Sequence, residues 1–182
     1  QEDPGTVSYE AFMALVYGSH PYGRPTEGTE ASVPTITRDD LVAFYQAYYR
    51  PTRAILAVVG DVRMTDLKQR LAARLGGWTP GGSPVVAPAP PAPLAKQVTK
   101  TIQREVTQAA ITCGHLGITR DNPDYYAVSV MNYLLGGGMS SRLSQTIREE
   151  KGWAYDVGSA FRSGKYAGDF SVTMQTKNAV AR

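Results

Sequence analysis

The apolar residues at the start of the chain recur with the spacing of two amphipathic helices. The first stripe stops before Gly18 and has three- and four-residue spacing, formed by Tyr9, Phe12, Met13, Val16 and Tyr17. A second helix should begin at Thr37, because Thr37 and Asp40 have the spacing of a capping box. Its apolar face would be formed by Leu41, Phe44, Tyr45 and Tyr48. Residues 19–36 lack periodicity and should form a loop between the two helices.

A continuous apolar run follows the second helix. Residues 54–59 read AILAVV and are closed by Gly60-Asp61, which is typical of a strand buried on both faces of a sheet. A third helix should then run from Asp66 to Leu75 and stop at the glycines that follow it. The first part of the chain therefore predicts helices packed on a sheet.

Residues 79–95 are rich in proline and have no periodic pattern. The segment APAPPAP within them should be extended polyproline rather than folded structure. A peptide-recognition tract is the alternative, but no flanking basic anchor completes a ligand motif. We therefore predict a linker here, between one part at residues 1–78 and another at residues 96–182.

After the linker, the pattern predicts strands, a helix and a hairpin. Residues 97–118 are rich in Val, Thr and Ile with partial alternation, which indicates one or two strands. Asn122-Pro123 is a helix start, with the cap at Asn122, and the helix should end at three consecutive glycines. Alternating apolar residues on both sides of Ser163-Gly164 then predict a β-hairpin with one buried face. Both parts thus predict helices against a mainly antiparallel sheet, an α+β fold in which neither part is complete.

The stretch from Gly136 to Tyr155, GGGMSSRLSQTIREEKGWAY, is the most distinctive part of the pattern. Its three glycines can take positive φ and let another chain approach closely. Ser140 or Ser141 can then cap a helix that should stop at Gly152. Larger and smaller residues alternate beyond that glycine, so the chain should leave the helix as a strand.

Arg148 and Tyr155 lie on the two sides of this predicted turn. A guanidinium and a phenol can each donate a hydrogen bond to a carbonyl oxygen, which suits gripping a peptide or stabilising an oxyanion. A solvated arginine and a core tyrosine around an ordinary turn form the simpler interpretation, and the pattern alone favours it.

The composition limits the class of protein. With 182 residues, 42% of them apolar, the chain is long enough to bury a core. Its 19 basic and 16 acidic residues give a net charge of +3 without a Lys/Arg run, which argues against nucleic-acid binding. No apolar run is long enough to span a bilayer. The single cysteine excludes an internal disulfide framework.

Three residues have side chains that can carry chemistry of their own. His20 has no second His or Cys nearby, so we interpret it as a loop histidine rather than a zinc ligand. Cys113 and His115 fall on the same side of a predicted strand, a spacing that could serve a thiolate and its base. A small core cysteine is the simpler interpretation, since a reactive thiol needs an activating environment.

Two longer stretches, in this order and with the Pro-rich linker between them, carry a family resemblance. The first is HPYGRPTEGTEASVPTITRDDLVAFYQAYYRPTRAILAVVGDV at residues 20–62, and the second is GGGMSSRLSQTIREEKGWAYDVGSAF at residues 136–161. Together they resemble the pitrilysin/insulinase family of zinc metallopeptidases, including its processing-peptidase-like bacterial members. The resemblance covers nearly the whole chain.

The resemblance implies repeated α+β domains that pair across a chamber holding an extended or unfolded peptide. Residues 1–78 would be the second half of one repeat, residues 79–95 a linker, and residues 96–182 the first half of an inactive, substrate-gripping repeat. Family members have an arginine and a tyrosine, seven residues apart, that grip the substrate carbonyl near the scissile bond. Arg148 and Tyr155 match this pair in spacing and context, so the resemblance predicts them as substrate-binding residues.

The zinc motif of the family is missing from this sequence. That motif is an inverted H-x-x-E-H, in which two histidines bind zinc and the glutamate activates water. The chain has only His20 and His115, and neither is followed by this pattern. The third ligand should lie before Gln1, and we assign neither Glu2 nor Glu10 to metal. We therefore predict no metal ligand and no catalytic residue in this chain, with zinc held elsewhere in a longer parent protein.

Three functions remain open. The chain can be the central part of a zinc-dependent metalloendopeptidase that cleaves peptides or unfolded polypeptides, inactive by itself. Its parent can instead be a zinc-free partner or scaffold subunit of a heterodimeric peptidase of the same family. A cysteine hydrolase that uses Cys113 is the third possibility.

The resemblance also predicts how this protein meets its partners. Either peptidase function calls for an open sheet edge that accepts an extended peptide as an added strand, and the strand from Tyr155 to Phe161 is the candidate. We expect a homodimer or a heterodimer with a family member. The Pro-rich linker favours the bacterial periplasm or cell envelope over the cytoplasm.

Overall fold

The computed structural model describes residues 3–181, whose contacts divide the chain into two compact units. The larger unit contains the residues up to Thr26 together with those from Pro88 onward, and the smaller unit is Glu27–Ala87. The first helix therefore folds with the residues that follow the Pro-rich tract. The assignment of residues 1–78 and 96–182 to two repeats stays a prediction.

The chain has an α+β fold, as predicted. Within residues 3–181 the α-helices are α1 Pro4–Tyr17, α2 Arg38–Tyr48, α3 Met64–Leu75 and α4 Tyr125–Gly136. A π-helix covers Ser144–Glu150. Short 3₁₀ turns lie at Pro21–Gly23, Val33–Thr35, Pro51–Arg53 and Asn178–Val180. The strands are β1 Gln108–Leu116, β2 Ala154–Arg162 and β3 Asp169–Lys177.

The three strands form one antiparallel sheet in the order β1-β3-β2. The pairing of β2 with β3 is the predicted hairpin, and Phe161 lies opposite Phe170 near its closed end. β1 pairs with β3 from Gln108, opposite Lys177, to Leu116, opposite Asp169. Among the described residues, β1 and β2 are therefore the edges of the sheet.

The apolar stripe predicted for the first helix forms the core of the larger unit. α1 starts at a cap in which the Asp3 carboxylate accepts a hydrogen bond from the Thr6 N–H at 2.9 Å. Its last two turns bury three side chains against partly buried neighbours that include Leu116 of β1, and the buried residues are Phe12, Val16 and Tyr17. Helix and sheet thus share one apolar layer.

A buried carboxylate lies beside this core. Asp169 is 2% exposed, and its Oδ2 accepts a hydrogen bond from Nη1 of Arg162, its cross-strand partner, at 3.1 Å. The same Nη1 donates to the hydroxyl of Ser171, also buried, at 2.7 Å. The Arg162 guanidinium carbon lies 4.8 Å from the centre of the Tyr9 ring. This cluster joins α1 to the closed end of the hairpin.

Two tyrosines of α1 face the same carboxylate. Tyr17 donates its phenol hydrogen bond to the carbonyl of Ala167 at 3.1 Å. Burial, and then the nearby Asp169 carboxylate, raise the pKa of both Tyr17 and Tyr9 above the ordinary value. Both phenols are therefore held in their neutral form.

The smaller unit contains α2 and α3, and α2 begins as predicted. Thr37 Oγ1 accepts from the Asp40 N–H at 3.2 Å, and the Thr37 N–H donates to Asp40 Oδ2 at 2.9 Å, which completes the capping box. The hydrogen bonds from Thr37 lower the pKa of the Asp40 carboxyl. α3 begins at Met64, before the predicted start at Asp66, and ends at Leu75 as expected.

The predicted strand at residues 54–59 is not formed. Ile55 and Val59 are each 98% exposed, and no strand pairs with this segment among residues 3–181. A strand needs a neighbour to take its N–H and C=O groups, and the apolar run specifies only one side of that pairing. The prediction of a strand buried on both faces is therefore wrong for this chain.

Residues 97–118 supply one strand, β1, which agrees with the prediction of one or two strands, and the residues from 97 to 107 stay outside the sheet. One smaller prediction needs correction. The N-cap of α4 is Asp124 rather than Asn122. Asn122 instead accepts the Asp124 N–H on its side-chain oxygen at 2.9 Å, which forms a turn ahead of the helix.

We expect Arg162→Met to lower the free energy of unfolding by about 2–3 kcal/mol, because it leaves the buried Asp169 carboxylate without its cation. Asp169→Asn should cost less, since it removes the charge together with its need for a partner. Urea unfolding followed by circular dichroism measures both. The control is Arg38→Met, which breaks an exposed pair with Asp39 and should change stability by less than about 0.5 kcal/mol. Equal effects of Arg162→Met and Arg38→Met would contradict this account.

Alkaline pH should destabilise the larger unit. Because the pKa of Tyr17 is raised, the unfolded chain releases the phenol proton near the ordinary pKa of 10.0 while the folded chain retains it. The contribution of Tyr17 to the free energy of unfolding is therefore complete below that pH and is lost as the pH rises above it. Tyr17→Phe should reduce this loss of stability at alkaline pH. It should also lower the stability at neutral pH by about 1 kcal/mol, because the hydrogen bond of the phenol is missing. Urea midpoints measured from neutral to alkaline pH check this, and parallel curves for both proteins would refute it.

Candidate functional site

A fixed turn joins the π-helix to β2. The Ser141 Oγ accepts from the Ser144 N–H at 3.4 Å, so Ser141 serves as the cap expected near this helix start. The Lys151 N–H donates to the Thr146 carbonyl at 3.2 Å, five residues back, as in a π-helix. The Trp153 N–H then donates to the carbonyl of Ile147 at 3.0 Å. These backbone bonds hold both ends of the turn.

Gly152 lies at the centre of this turn, where the predicted helix should stop. Its φ is +59°, in the left-handed region that disfavours residues with a Cβ. A Cβ at this position would meet nothing within 4 Å. The glycine is therefore required by the backbone conformation and not by close packing.

β2 begins with a bulge at Tyr155. Ala154 pairs with Thr176 and Asp156 with Gln175, so Tyr155 is an extra residue without a partner on β3. The hydroxyl of Thr176, which is fully buried, donates to the Trp153 carbonyl at 2.6 Å and anchors the start of the strand. Bulges change the direction of side chains and are frequent beside active sites.

The turn brings Arg148 and Tyr155 into contact. The guanidinium carbon of Arg148 lies 4.7 Å from the centre of the Tyr155 ring. Arg148 is half-buried, whereas Tyr155 is 80% exposed. Within residues 3–181 neither side chain has an ion pair or a side-chain hydrogen bond. The stacked guanidinium and the phenol hydroxyl therefore keep their donor groups available.

Helix α4 covers part of the open edge of β2. The Asn132 side-chain amide donates to the Ser159 carbonyl at 3.2 Å, and the Ser159 hydroxyl donates to Asn132 Oδ1 at 2.8 Å. A Cβ on Gly136 would lie 2.5 Å from the Ser159 nitrogen, so only a glycine lets the helix end approach this closely. Ahead of Ser159, Tyr155 and Asp156 are exposed, and we refer to Tyr155–Val157 as the open segment of β2.

His20 lies in the loop after α1, as predicted, and is buried there. Its Nδ1 accepts from the Tyr22 N–H at 3.1 Å. Three tyrosine rings pack around the imidazole, those of Tyr17, Tyr22 and Tyr166. The sequence missed this cluster, because Tyr166 is distant along the chain.

Cys113 and His115 both lie on β1 and are exposed. The interpretation of Cys113 as a core residue is wrong, because the face of β1 that carries Cys113 is left uncovered at this residue. His115 bonds through Nδ1 to the Leu116 carbonyl at 2.7 Å, and its ring contacts the rings of Phe161 and Phe170. The imidazole is thus engaged by groups other than the thiol.

The described residues do not fit a zinc site. Between residues 3 and 181, no three His, Cys, Asp or Glu side chains lie close enough to hold a metal ion. Glu10 is exposed on α1, and Glu2 lies outside the described residues. In the same part of the chain, no helix is both long and apolar enough to cross a bilayer.

A second stacked pair at the turn was not identified from the sequence. The Lys151 ammonium lies 4.6 Å from the centre of the Trp153 ring. The only sequence signal is a lysine two residues before an aromatic side chain, with a glycine between them. Such a spacing is too common to indicate contact without the left-handed turn.

The chain is similar to known peptidases over most of its length. A family model described as the peptidase M16 inactive domain matches residues 35–182. The chain is 34% identical over 176 residues to an uncharacterized zinc protease of Mycobacterium leprae, and 32% identical over 162 residues to one of Streptomyces coelicolor. These alignments cover 94% and 86% of this chain but only 39% and 35% of the relatives. The chain thus spans less than half the length of the curated relatives it matches.

Solved structures share the fold. The crystal structure of a peptidase M16 inactive domain from Pseudomonas fluorescens matches with a TM-score of 0.83 and 32% identity, over 96% of this chain and 42% of that one. A protease from Helicobacter pylori also gives a TM-score of 0.83, at 21% identity, over 94% of this chain and 42% of that one. At that identity, the second match supports the fold alone.

Gly152→Ala should destabilise the protein by about 1 kcal/mol, because alanine disfavours the left-handed backbone of the turn. Open space around the position means that strain, and not a clash, would cause the loss. Gly77→Ala is the matched control, since Gly77 also has nothing near its Cβ position but has no positive φ. Thermal unfolding of both variants tests this, and a loss at Gly77 as large as that at Gly152 would contradict it.

Proposed function

The chain belongs to the M16 peptidase family, which confirms the resemblance to zinc metallopeptidases, and we propose that it is part of a zinc-dependent metalloendopeptidase. It would supply substrate-binding and structural parts for the cleavage of peptides or unfolded polypeptides. The curated relatives are named zinc proteases, which supports zinc in the longer protein. The ligands of that zinc would lie outside this chain.

The stack of Arg148 on Tyr155 carries this proposal. A guanidinium and a phenol are both hydrogen-bond donors, and a peptide carbonyl is an acceptor. The ring restricts the arginine before substrate arrives, so less side-chain entropy is lost on binding. The half-buried guanidinium is also free of carboxylate partners within residues 3–181. We therefore assign Arg148 and Tyr155 to holding and polarising a substrate carbonyl.

The open segment of β2 would align the substrate chain along the strand. A peptide that lies beside Tyr155–Val157 can pair with the strand through main-chain hydrogen bonds. Asn132 occupies the Ser159 carbonyl, so this added strand would be short. Recognition would then depend on main-chain groups more than on a long sequence motif, which suits an unfolded polypeptide.

A second candidate function uses the same residues. The parent can be a zinc-free partner or scaffold subunit of a heterodimeric peptidase. This candidate rests on the contact of Arg148 with Tyr155, because these donors can hold a substrate carbonyl whichever chain carries the zinc. A homodimer of zinc-bearing chains is the arrangement that the first candidate allows.

The experiment uses the longer protein that contains this chain. We expect Arg148→Ala to lower kcat for a fluorogenic peptide by about 10²-fold with a smaller change in KM, because the carbonyl contact strengthens as negative charge develops on the oxygen. Arg120→Ala is the matched control, since Arg120 also stacks on a tyrosine, Tyr125, at 5.3 Å. An unchanged kcat in Arg148→Ala would rule out the assigned role.

Metal analysis of the same preparation separates the two candidates. About one zinc per chain, with cleavage lost on chelation, would support the peptidase. A preparation without zinc that cleaves only after a zinc-bearing family member is added would support the partner subunit. Cleavage that resists chelation would contradict both.

A further inference from the structure

Lys151 and Trp153 form a cation and aromatic pair beside Arg148 and Tyr155. The Lys151 ammonium is exposed and lies 4.6 Å from the centre of the indole, which is itself 45% exposed. Within residues 3–181 no carboxylate lies within ion-pair distance of Lys151. The turn therefore presents a lysine that is positioned by an aromatic ring and has no anionic partner.

The backbone of Trp153 holds this pair in place. Its N–H is bonded to the Ile147 carbonyl, and its carbonyl accepts from the buried Thr176 hydroxyl. Both main-chain groups are thus already used, so an added strand cannot pair with Trp153. The indole and the lysine that it supports stand at the end of the open segment of β2.

The spacing along the strand relates the pair to a bound peptide. Trp153 precedes Tyr155 by two residues, on the other side of the bulge, so their Cα atoms are at most about 7 Å apart. Two residues of a substrate held as a strand span a similar distance. When Arg148 and Tyr155 hold the carbonyl of one substrate residue, a side chain about two residues away is therefore within reach of Trp153.

We propose that Lys151 and Trp153 form a subsite that selects an acidic side chain of the peptide, two residues from the carbonyl held by Arg148 and Tyr155. This inference rests on the proposed function. The ammonium pairs with the substrate carboxylate, and the indole face covers the lysine so that less of its motion is lost on pairing. The exposed Glu149 and Glu150 weaken the local positive field, so the selection is a few-fold in size.

The test compares matched peptides in the longer protein, together with its zinc-bearing partner if one is required. The peptides carry Glu, Gln or Lys at each position around the cleaved bond. One of these positions lies two residues from the residue whose carbonyl Arg148 holds. At that position kcat/KM should be about threefold higher for Glu than for Gln, mainly through KM. Lys151→Met should bring this ratio to about one, and Lys151→Glu should invert it in favour of Lys.

Lys165→Glu is the matched control, because Lys165 also lies over an aromatic ring, that of Tyr166, and its reversal changes the net charge equally. It should leave the Glu-to-Gln ratio unchanged. Equal shifts in Lys151→Glu and Lys165→Glu, or no shift in either, would overturn the subsite. Anisotropy measurements of peptide Kd give the same ratio without turnover.

Arg148→Ala, measured in parallel, distinguishes failure of this inference from failure of the proposed function. When Arg148→Ala lowers kcat and Lys151→Glu leaves the ratio unchanged, the subsite is wrong and the proposed function stands. When Arg148→Ala leaves kcat unchanged, the proposed function is wrong. The subsite is then wrong too, because its position is defined by the carbonyl that Arg148 is proposed to hold.

Discussion

The buried carboxylate of Asp169 is the constraint on which the larger unit depends. A charge this far from water must be compensated, and Arg162 can do so because the hairpin register places it directly opposite. The guanidinium then reaches the Tyr9 ring, so one ion pair fixes the hairpin end and the docking of α1 together. Tyr155, which we propose binds substrate together with Arg148, lies at the other end of the same hairpin. That end is anchored separately, by the buried Thr176 hydroxyl on the Trp153 carbonyl.

Between these two anchors, the candidate site is built from departures from regular structure. The π-helix, the left-handed glycine and the bulge at Tyr155 follow one another within a short stretch. Each costs some stability relative to a regular element, and such departures concentrate where side chains must be aimed. Here they aim an arginine and a tyrosine at the same space. The regular strands behind them supply the rigidity that a loop alone would lack.

The sequence predicted local structure well wherever its determinants are local. The stripe of α1, the capping box of α2 and the hairpin at Ser163-Gly164 follow from side chains a few residues apart, and each prediction is confirmed. The family was also identified, from motifs rather than from periodicity. Arg148 and Tyr155 were chosen through that resemblance, and the turn does bring them into contact.

Features that depend on distant residues could not be predicted. The packing of α1 against β1 and the burial of Asp169 join positions on opposite sides of the Pro-rich tract. The bulge at Tyr155 reflects a pairing with β3 that no local pattern specifies. Exposure of Cys113 depends on which face of β1 is left uncovered, and the predicted strand at residues 54–59 fails because it has no neighbour within residues 3–181. Pattern indicates what a segment can form, whereas its partners decide what it does form.

The exposed segment AILAVV also has a consequence for self-association. It is six residues long, rich in branched apolar side chains, uncharged and free of proline, and Ile55 and Val59 are almost fully accessible. Those are the properties of segments that stack into cross-β assemblies when their backbone groups lack partners. A segment of this kind is safe only while something covers it. While it stays uncovered, this stretch is therefore prone to aggregate with other copies of the chain.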